Sequence, residues 1–161
     1  MTGLSCQLAV DAVMQLVQSA EATYYKLVLL VGKPGTGKTT VLRAVGEKLH
    51  VPVINTSLEL SARLLDLTAR QRTLRLPEIF SEVAASESKT VVLDNMEFLF
   101  DRSLQQDPLR LLQGLSRNRR IIAAWDGSLE EEKLLYAEPG HAEYRQYPVN
   151  DFFAVDMNIC L

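Results

Sequence analysis

The segment at residues 32–39 constrains the fold more than any other part of the chain. Its sequence, GKPGTGKT, fits the phosphate-loop pattern G-x-x-x-x-G-K-[ST] at every position. An apolar, β-favouring run at 25–31 precedes it, and a helical pattern at 39–49 follows it. A strand, a glycine-rich turn and a helix in this order direct backbone N–H groups and a helix N-terminus at an anion. The pattern therefore predicts a nucleotide-binding site.

Each position of the loop has an expected role. Gly35 and Gly37 allow the backbone to curl so that successive N–H groups point inward. Lys38 is expected to reach the β- and γ-phosphates, and the Thr39 hydroxyl is expected to bind Mg²⁺. The predicted nucleotide-binding residues are Gly32, Pro34, Gly35, Thr36, Gly37, Lys38, Thr39 and Thr40.

Apolar strand patterns alternate with helical patterns along the rest of the chain. The predicted strands are residues 25–31, 51–54, 90–93, 121–125 and 144–149. The predicted helices are residues 4–20, 39–49, two pieces of 57–86, a segment from 108, and a segment from 128 to about 136. Alternation of this kind is typical of a mainly parallel sheet covered on both faces. We therefore expect an α/β fold, built as a three-layer sandwich with its ligand site at the carboxyl ends of the strands.

Local signals predict where several helices begin. Ser57 is the expected cap of the first piece of 57–86, and Pro77 is expected in the first turn of the second. Ser128 and Glu131 have capping-box spacing and predict a helix there, after a turn at 126–127. Apolar residues recur every four positions in the first helix, beside Val13 and Val17: Leu4, Leu8, Ala12, Leu16 and Ala20.

The order of the motifs indicates a P-loop protein of the additional-strand type. One strand–helix excursion separates the phosphate loop from the strand at 90–93, which predicts a five-stranded sheet of order 5-1-4-3-2. Only residues 150–161 follow the fifth predicted strand, too few for a C-terminal helical lid. We expect one nucleotide-binding domain over residues 1–161, with an N-terminal helix in 1–24, a core at 25–149 and a tail at 150–161.

The strand at 90–93 is followed by Asp94, so this segment has the form of a Walker B motif, an apolar strand that ends in Asp. Asp94 is expected to hold Mg²⁺ together with Thr39. Many ATPases of this type carry Glu at the next position, where this chain has Asn95. An amide can orient water but cannot take its proton, and Glu97 is the nearest carboxylate. The predicted catalytic residues are Lys38, Asp94, Asn95 and Glu97, with slow hydrolysis as the expected outcome.

The fourth predicted strand ends in Trp125, where related ATPases place a polar sensor of the γ-phosphate. We expect Trp125 to be a packing residue, with Asp126 as a weak polar substitute. Three arginines precede this strand and include a candidate arginine finger acting across a subunit interface: Arg117, Arg119 and Arg120. A solvated basic turn is the simpler interpretation of the same residues.

Composition and charge narrow the classes of function that remain open. There are 17 basic and 20 acidic residues, giving a net charge of −3, so nothing in the overall charge points to nucleic acid. A basic segment could still contact nucleic acid, although a solvated helix face is simpler: Arg63, Arg70, Arg72 and Arg75. Cys6 and Cys160 form no CxxC pair, and no segment is long enough to span a membrane. We expect a cytoplasmic location.

Four segments together resemble a known family. GKPGTGKT, VVLDN, LSRNRR and IIAAWDG are similar to the corresponding segments of BrxF, the small P-loop component of type 3 BREX bacteriophage-exclusion systems. The resemblance covers nearly the whole chain. It implies a role in bacterial antiviral defence beside a methyltransferase, a phosphatase-like protein and a larger ATPase. It also implies nucleotide and magnesium roles for Lys38, Thr39 and Asp94.

Three functions remain open on sequence alone. The first is an AAA-like subunit that binds ATP and Mg²⁺, hydrolyses ATP slowly and assembles with itself or with other BREX proteins. ATP is favoured over GTP because no N-K-x-D segment is present. The second is a small P-loop kinase, although no acceptor-binding Asp follows the second predicted strand. The third is a non-catalytic nucleotide switch, which Asn95 favours.

Overall fold

The computed structural model describes residues 3–85, 88–137 and 140–159, so Cys160 lies outside the described residues. The helices of this part are α1 (Gly3–Ala20), α2 (Lys38–Leu49), α3 (Thr56–Leu64), α4 (Ala69–Val83) and α5 (Pro108–Leu115). The strands are β1 (Leu27–Gly32), β2 (Val53–Asn55), β3 (Thr90–Asp94), β4 (Arg120–Glu130), β5 (Lys133–Tyr136), β6 (Arg145–Pro148) and β7 (Phe153–Asp156). Short 3₁₀ turns cover Glu97–Phe100, Arg102–Leu104 and Met157–Ile159.

Five parallel strands form the centre of the sheet, in the order β2-β3-β4-β1-β7. Leu27 of β1 lies opposite Ile121 of β4, and Val28 lies opposite Phe153 of β7. Both faces of β1 are buried, as a central parallel strand requires. With β7 counted as the fifth strand, the predicted order 5-1-4-3-2 is confirmed.

Helices cover the two faces of the sheet separately. Leu27 and Leu29 alternate with Val28 and Leu30 between two apolar clusters. The first cluster contains side chains of α3, α4 and α5, whereas the second contains side chains of α1 and α2. The predicted three-layer sandwich is therefore confirmed, and no helix in the described ranges is long and apolar enough to cross a membrane.

The identity of the fifth strand was predicted wrongly. Residues 144–149 overlap β6, which pairs antiparallel with β5 and not with β1. The strand beside β1 is β7, within the segment 150–161 that was expected to be a tail. Pairing with β1 buries Val155, and Met157 is also buried just beyond the strand end. Long-range burial therefore makes Val155 and Met157 part of the core.

The helix predicted at 128–136 is also wrong, as is the turn at 126–127. β4 continues to Glu130, and two residues of positive φ, Glu131 and Glu132, turn the chain into β5. Within the described ranges the sheet consequently has seven strands rather than five. Pairing of β5 with β4 and β6 buries Leu134 and Tyr136. Tertiary pairing has overridden a local preference.

Helix ends and faces differ from prediction in three smaller ways. The cap of α3 is Asn55, whose side chain accepts from Leu58 N, and not Ser57. Pro77 lies inside α4, since a Thr68 capping box starts that helix earlier. In α1 the buried face is turned relative to the predicted stripe, because Leu8 is 60% exposed. Among the α1 side chains that the structure describes, the buried ones are Ala9, Val10, Val13, Val17 and Ala20.

Candidate functional site

The phosphate loop connects β1 to α2 at the carboxyl edge of the sheet. Gly35 and Gly37 have φ values of 85° and 93°, which residues with a Cβ adopt only with strain. Thr36 Oγ1 donates to Lys33 O over 2.8 Å and closes the turn. Because Gly37 caps α2 without a side-chain acceptor, the first N–H groups of the helix are available to an anion.

Lys38 lies at the start of α2 and is buried. Its ammonium donates to Gly32 O over 2.6 Å and to Lys33 O over 3.0 Å. It also forms an ion pair with Asp126 Oδ1 over 2.8 Å. Three oxygens thus hold the ammonium beneath the loop, where the backbone curls.

Thr39 and Asp94 come together although 55 positions separate them. Thr39 Oγ1 donates to Asp94 Oδ2 over 2.7 Å. Asp94 is the last residue of β3 and is buried, and its Oδ1 accepts from Asn95 N over 2.9 Å. A hydroxyl beside a carboxylate is an oxygen-ligand pair of the kind that Mg²⁺ prefers. The two residues predicted to hold the metal therefore fit that role.

Asn95 turns the chain away from β3 with a φ of 51°. Its carbonyl accepts from Ser57 N over 2.8 Å and from the Ser57 hydroxyl. Ser57 Oγ also accepts from Phe98 N over 3.0 Å. These bonds fix the backbone of the turn. Asn95 itself lies at the edge of the site.

Glu97 begins the 3₁₀ turn after β3, and its side chain is exposed. Desolvation, hydrogen bonding to Asp126 and repulsion from Asp126 and Asp94 raise the pKa of Glu97 from 4.5 to about 7. A carboxylate of this basicity can accept a proton near neutral pH. Glu97 is therefore the group in this turn best suited to be a general base.

One cleft of about 390 Å³ brings most of the predicted residues together. Its lining comprises Pro34, Gly35, Gly37, Lys38, Thr39, Asp94, Asn95, Glu97 and Asp126. The remaining loop residues are not among those that line the cleft: Gly32 and Thr36 are buried and Thr40 is exposed. Asp126, considered only as a weak sensor from the sequence, is thus the partner of Lys38 and a full member of the cleft.

The three candidate finger arginines lie at the other edge of the sheet. Arg120 is the first residue of β4, so all three lie at or just before the amino end of the strand, whereas Asp126 lies further along the same strand. Arg119 donates to Ala84 O over 2.9 Å, and Arg120 lies 3.5 Å from the Glu21 carboxylate. The Arg117 guanidinium lies 5.2 Å from the ring centre of Tyr24. Within one chain they are separated from the cleft by the part of β4 between Arg120 and Asp126.

Asn158 is a member of the site that the sequence analysis missed. Its Oδ1 accepts from Lys33 N over 3.0 Å, and its Nδ2 donates to Gly127 O over 3.1 Å. It follows β7 and so reaches the phosphate loop only because β7 pairs with β1. The signal that could have located it is the apolar pattern of β7.

Trp125 packs in the core, as predicted. It is fully buried, and its Nε1 donates to Leu135 O over 3.1 Å. Phe100 lies edge-on to it at 5.0 Å, and Tyr136 lies edge-on at 6.1 Å. Trp125 therefore attaches the hairpin of β4 and β5 to the sheet.

Comparisons with known proteins place this geometry in a family. A search of the curated proteins finds no match. Among solved structures, AMPPCP-bound DnaA from Aquifex aeolicus is similar over 81% of this chain and 41% of that one, with 18% identity and a TM-score of 0.49. This chain thus spans less than half of that relative. The family model of the ATPase family associated with various cellular activities matches residues 28–124, which is more than half of the chain. With a phosphate loop, an acidic strand end and a parallel sheet in the matched region, the chain belongs to the AAA family.

Proposed function

We propose that this protein is an ATP-binding AAA subunit that hydrolyses ATP slowly with Mg²⁺. The observation that carries the proposal is the contact between Thr39 Oγ1 and Asp94 Oδ2 at 2.7 Å, in the same cleft as the buried Lys38. Three chemically matched groups from two distant segments meet in one cleft at the end of a curled glycine loop. No single local turn would require this combination.

The loop residues bind and orient the triphosphate in this proposal. Backbone N–H groups from Gly35 to Thr39 surround the phosphates, and the first turn of α2 adds its partial positive charge. Lys38 would exchange the Asp126 carboxylate for phosphate oxygens, keeping an ion pair in both arrangements. Thr39 and Asp94 would hold Mg²⁺, which supplies positive charge against the transferred phosphoryl group.

Slow turnover follows from the residue beyond Asp94. The Asn95 amide cannot accept the proton of the attacking water. Glu97 has the basicity to do so and lines the cleft, but it lies on a 3₁₀ turn where its side chain is exposed to solvent. We assign water orientation to Asn95 and proton acceptance to Glu97.

Assembly is the second part of the proposal. Because Arg117, Arg119 and Arg120 lie at the opposite edge of the sheet, any of them could act as a finger only on a neighbouring subunit. The sequence resemblance to BrxF supports a cytoplasmic role in a BREX defence system, with other proteins of that system as partners. The basic segment in α3 and α4 keeps nucleic acid as a further candidate partner.

The decisive experiment compares two lysines of the same helix. Lys38→Ala is expected to weaken binding of a fluorescent ATP analogue about a hundredfold, because it removes a buried charge-assisted contact. Lys48→Ala removes an exposed lysine at the other end of α2 and should leave binding within about twofold. Equal affinities for the wild type and Lys38→Ala would refute the proposed function.

A non-catalytic switch is the second candidate, favoured by Asn95. Steady ATP turnover above that of Lys38→Ala, lost in Glu97→Gln, would exclude it and support Glu97 as the base. ADP release that requires an added small acceptor would instead identify the kinase alternative. Solution mass measured with and without ATP and Mg²⁺ in the same samples tests assembly.

A further inference from the structure

Lys38 uses its whole hydrogen-bonding capacity within the chain. An ammonium has three N–H donors and no acceptor. In this structure its partners are Gly32 O at 2.6 Å, Lys33 O at 3.0 Å and Asp126 Oδ1 at 2.8 Å. A phosphate oxygen can therefore bind this ammonium only if one of the three contacts is given up.

The Asp126 contact is the one with which a phosphate competes. A carboxylate and a phosphate are both anions, so either can neutralise the buried Lys38, whereas the carbonyls of Gly32 and Lys33 cannot. The two carbonyls are backbone atoms, which no side-chain rotation can withdraw. The Asp126 side chain is 22% exposed, so water can hydrate its carboxylate once it has left the ammonium.

The sheet holds Asp126 in this position. Parallel pairing sets Asp126 of β4 opposite Gly32 of β1, the residue at which the phosphate loop begins. Directly beyond it, Gly127 pairs with Tyr136 of β5, and Gly127 O accepts from Asn158 Nδ2 over 3.1 Å. The backbone is thus fixed on both sides of the carboxylate. The ion pair is therefore built into the fold, unlike a pair between two mobile, solvated side chains.

We propose that Asp126 is an internal competitor for the triphosphate, which occupies Lys38 in the nucleotide-free protein and lowers the affinity for ATP. ATP displaces the carboxylate by rotation of the Asp126 side chain, and no covalent bond changes. Lys38 has an anionic partner before and after the exchange, so its charge is not left buried and unpaired. This inference rests on the proposed function, because it requires Lys38 to bind phosphate.

Neutral replacements of Asp126 separate competition from a favourable role in ATP binding. Asp126→Asn keeps the shape of the side chain and an oxygen that can accept from Lys38, but it removes the charge that opposes phosphate. The variant is expected to bind ATP about tenfold more tightly than the wild type, measured calorimetrically with Mg²⁺ present. Asp126→Ser is a second neutral replacement and should also tighten binding. Neutralising a group that contacts the nucleotide or the metal favourably would instead weaken binding.

Thermal stability provides a second measurement on the same variant. Asp126→Asn leaves the buried ammonium of Lys38 with neutral acceptors only, so without nucleotide it is expected to melt about 3–6 °C below the wild type. Saturating ATP supplies an anionic partner and is expected to close most of this gap. A loss of stability that ATP does not recover would show that Asp126 only supports the fold, and would overturn the proposal.

Two further variants are matched controls. Glu130→Gln removes the same charge from an exposed position of the same strand, outside the lining of the cleft, and should change ATP affinity by less than about twofold. Asp126→Glu keeps a carboxylate, and hence the competition, so its affinity should stay within about threefold of the wild type. Tightening by either control equal to that of Asp126→Asn would trace the effect to overall charge or to side-chain shape, and would overturn the proposal.

The outcomes distinguish this inference from the proposed function. Unchanged or weaker ATP binding by Asp126→Asn, with normal binding by the wild type, would overturn the inference and leave the proposed function standing. If neither protein binds ATP, the proposed function is refuted and the internal competitor with it. Binding by Asp126→Asn alone would support both, because the wild-type site would then be closed by its own carboxylate.

Discussion

The phosphate loop and the β4–β5 hairpin are neighbours at the carboxyl edge of the sheet, yet they are specified differently. In the loop, Gly35 and Gly37 take positive φ within one continuous motif. In the hairpin, Gly127 is required because Leu135 of the next strand approaches its backbone. A glycine needed for its own φ can be recognised in sequence, whereas a glycine needed for close approach depends on what folds against it.

The largest effect that tests this comparison is expected at Gly127. A Cβ at this position would overlap the backbone carbonyl of Leu135, and backbone cannot rotate away as a side chain can. Gly127→Ala should therefore disrupt β4–β5 pairing and lower the free energy of unfolding by about 2–4 kcal/mol. Urea denaturation, followed by fluorescence of the buried Trp125, measures the loss.

Gly35→Ala is the matched substitution in the loop. A Cβ there meets nothing within 4 Å, so its cost is limited to the strain of a φ of +85°, about 1–2 kcal/mol. If Gly127→Ala proved no more destabilising than Gly35→Ala, close strand approach would not distinguish the two regions.

Prediction succeeded where residues near in sequence determine the structure. The phosphate loop, the strand ending in Asp94 and the alternation that predicts β1 to β4 are all local patterns. Ser128 and Glu131 fit a helix cap locally, but pairing of β5 between β4 and β6 gains burial of Leu134 and Tyr136. A short stretch of sequence does not show this burial, because it depends on strands that are distant along the chain.

The cleft also contains residues that the local sequence identifies and residues that only the tertiary structure brings together. Lys38 and Thr39 belong to the motif and could be identified from it. The approach of Asp126 to Lys38 depends on the register that sets Gly32 opposite Asp126 between β1 and β4. Asn158 reaches Lys33 only after β7 has paired with β1, so its role required the tertiary structure.

A smaller effect tests whether the C-terminal segment supports the loop. Asn158 joins Lys33 N to Gly127 O, linking the two regions compared above. Asn158→Ala removes both hydrogen bonds and is expected to weaken ATP binding about threefold to tenfold, measured by titration of a fluorescent analogue. Exposed Asn150 is the control, and Asn150→Ala should change affinity by less than about twofold. Unchanged affinity with a lowered melting temperature would show that Asn158 stabilises the fold without positioning the loop.

The smallest effect concerns Glu97, which faces both the cleft and the hairpin. Its pKa of about 7 exceeds the ordinary value of 4.5, so the folded state binds more protons between these values than the unfolded state. Stability from this group is therefore greatest below pH 4.5, falls as pH rises to 7, and changes little above that. Glu97→Gln should raise the melting temperature at pH 8 relative to the wild type, by only about 1–3 °C because solvent screens an exposed side chain. At pH 5 the difference should largely vanish, since wild-type Glu97 is then mostly protonated when folded. A shift of equal size at both pH values would mean that the carboxylates of the cleft and the hairpin do not repel each other through Glu97, and that the two regions are electrostatically independent.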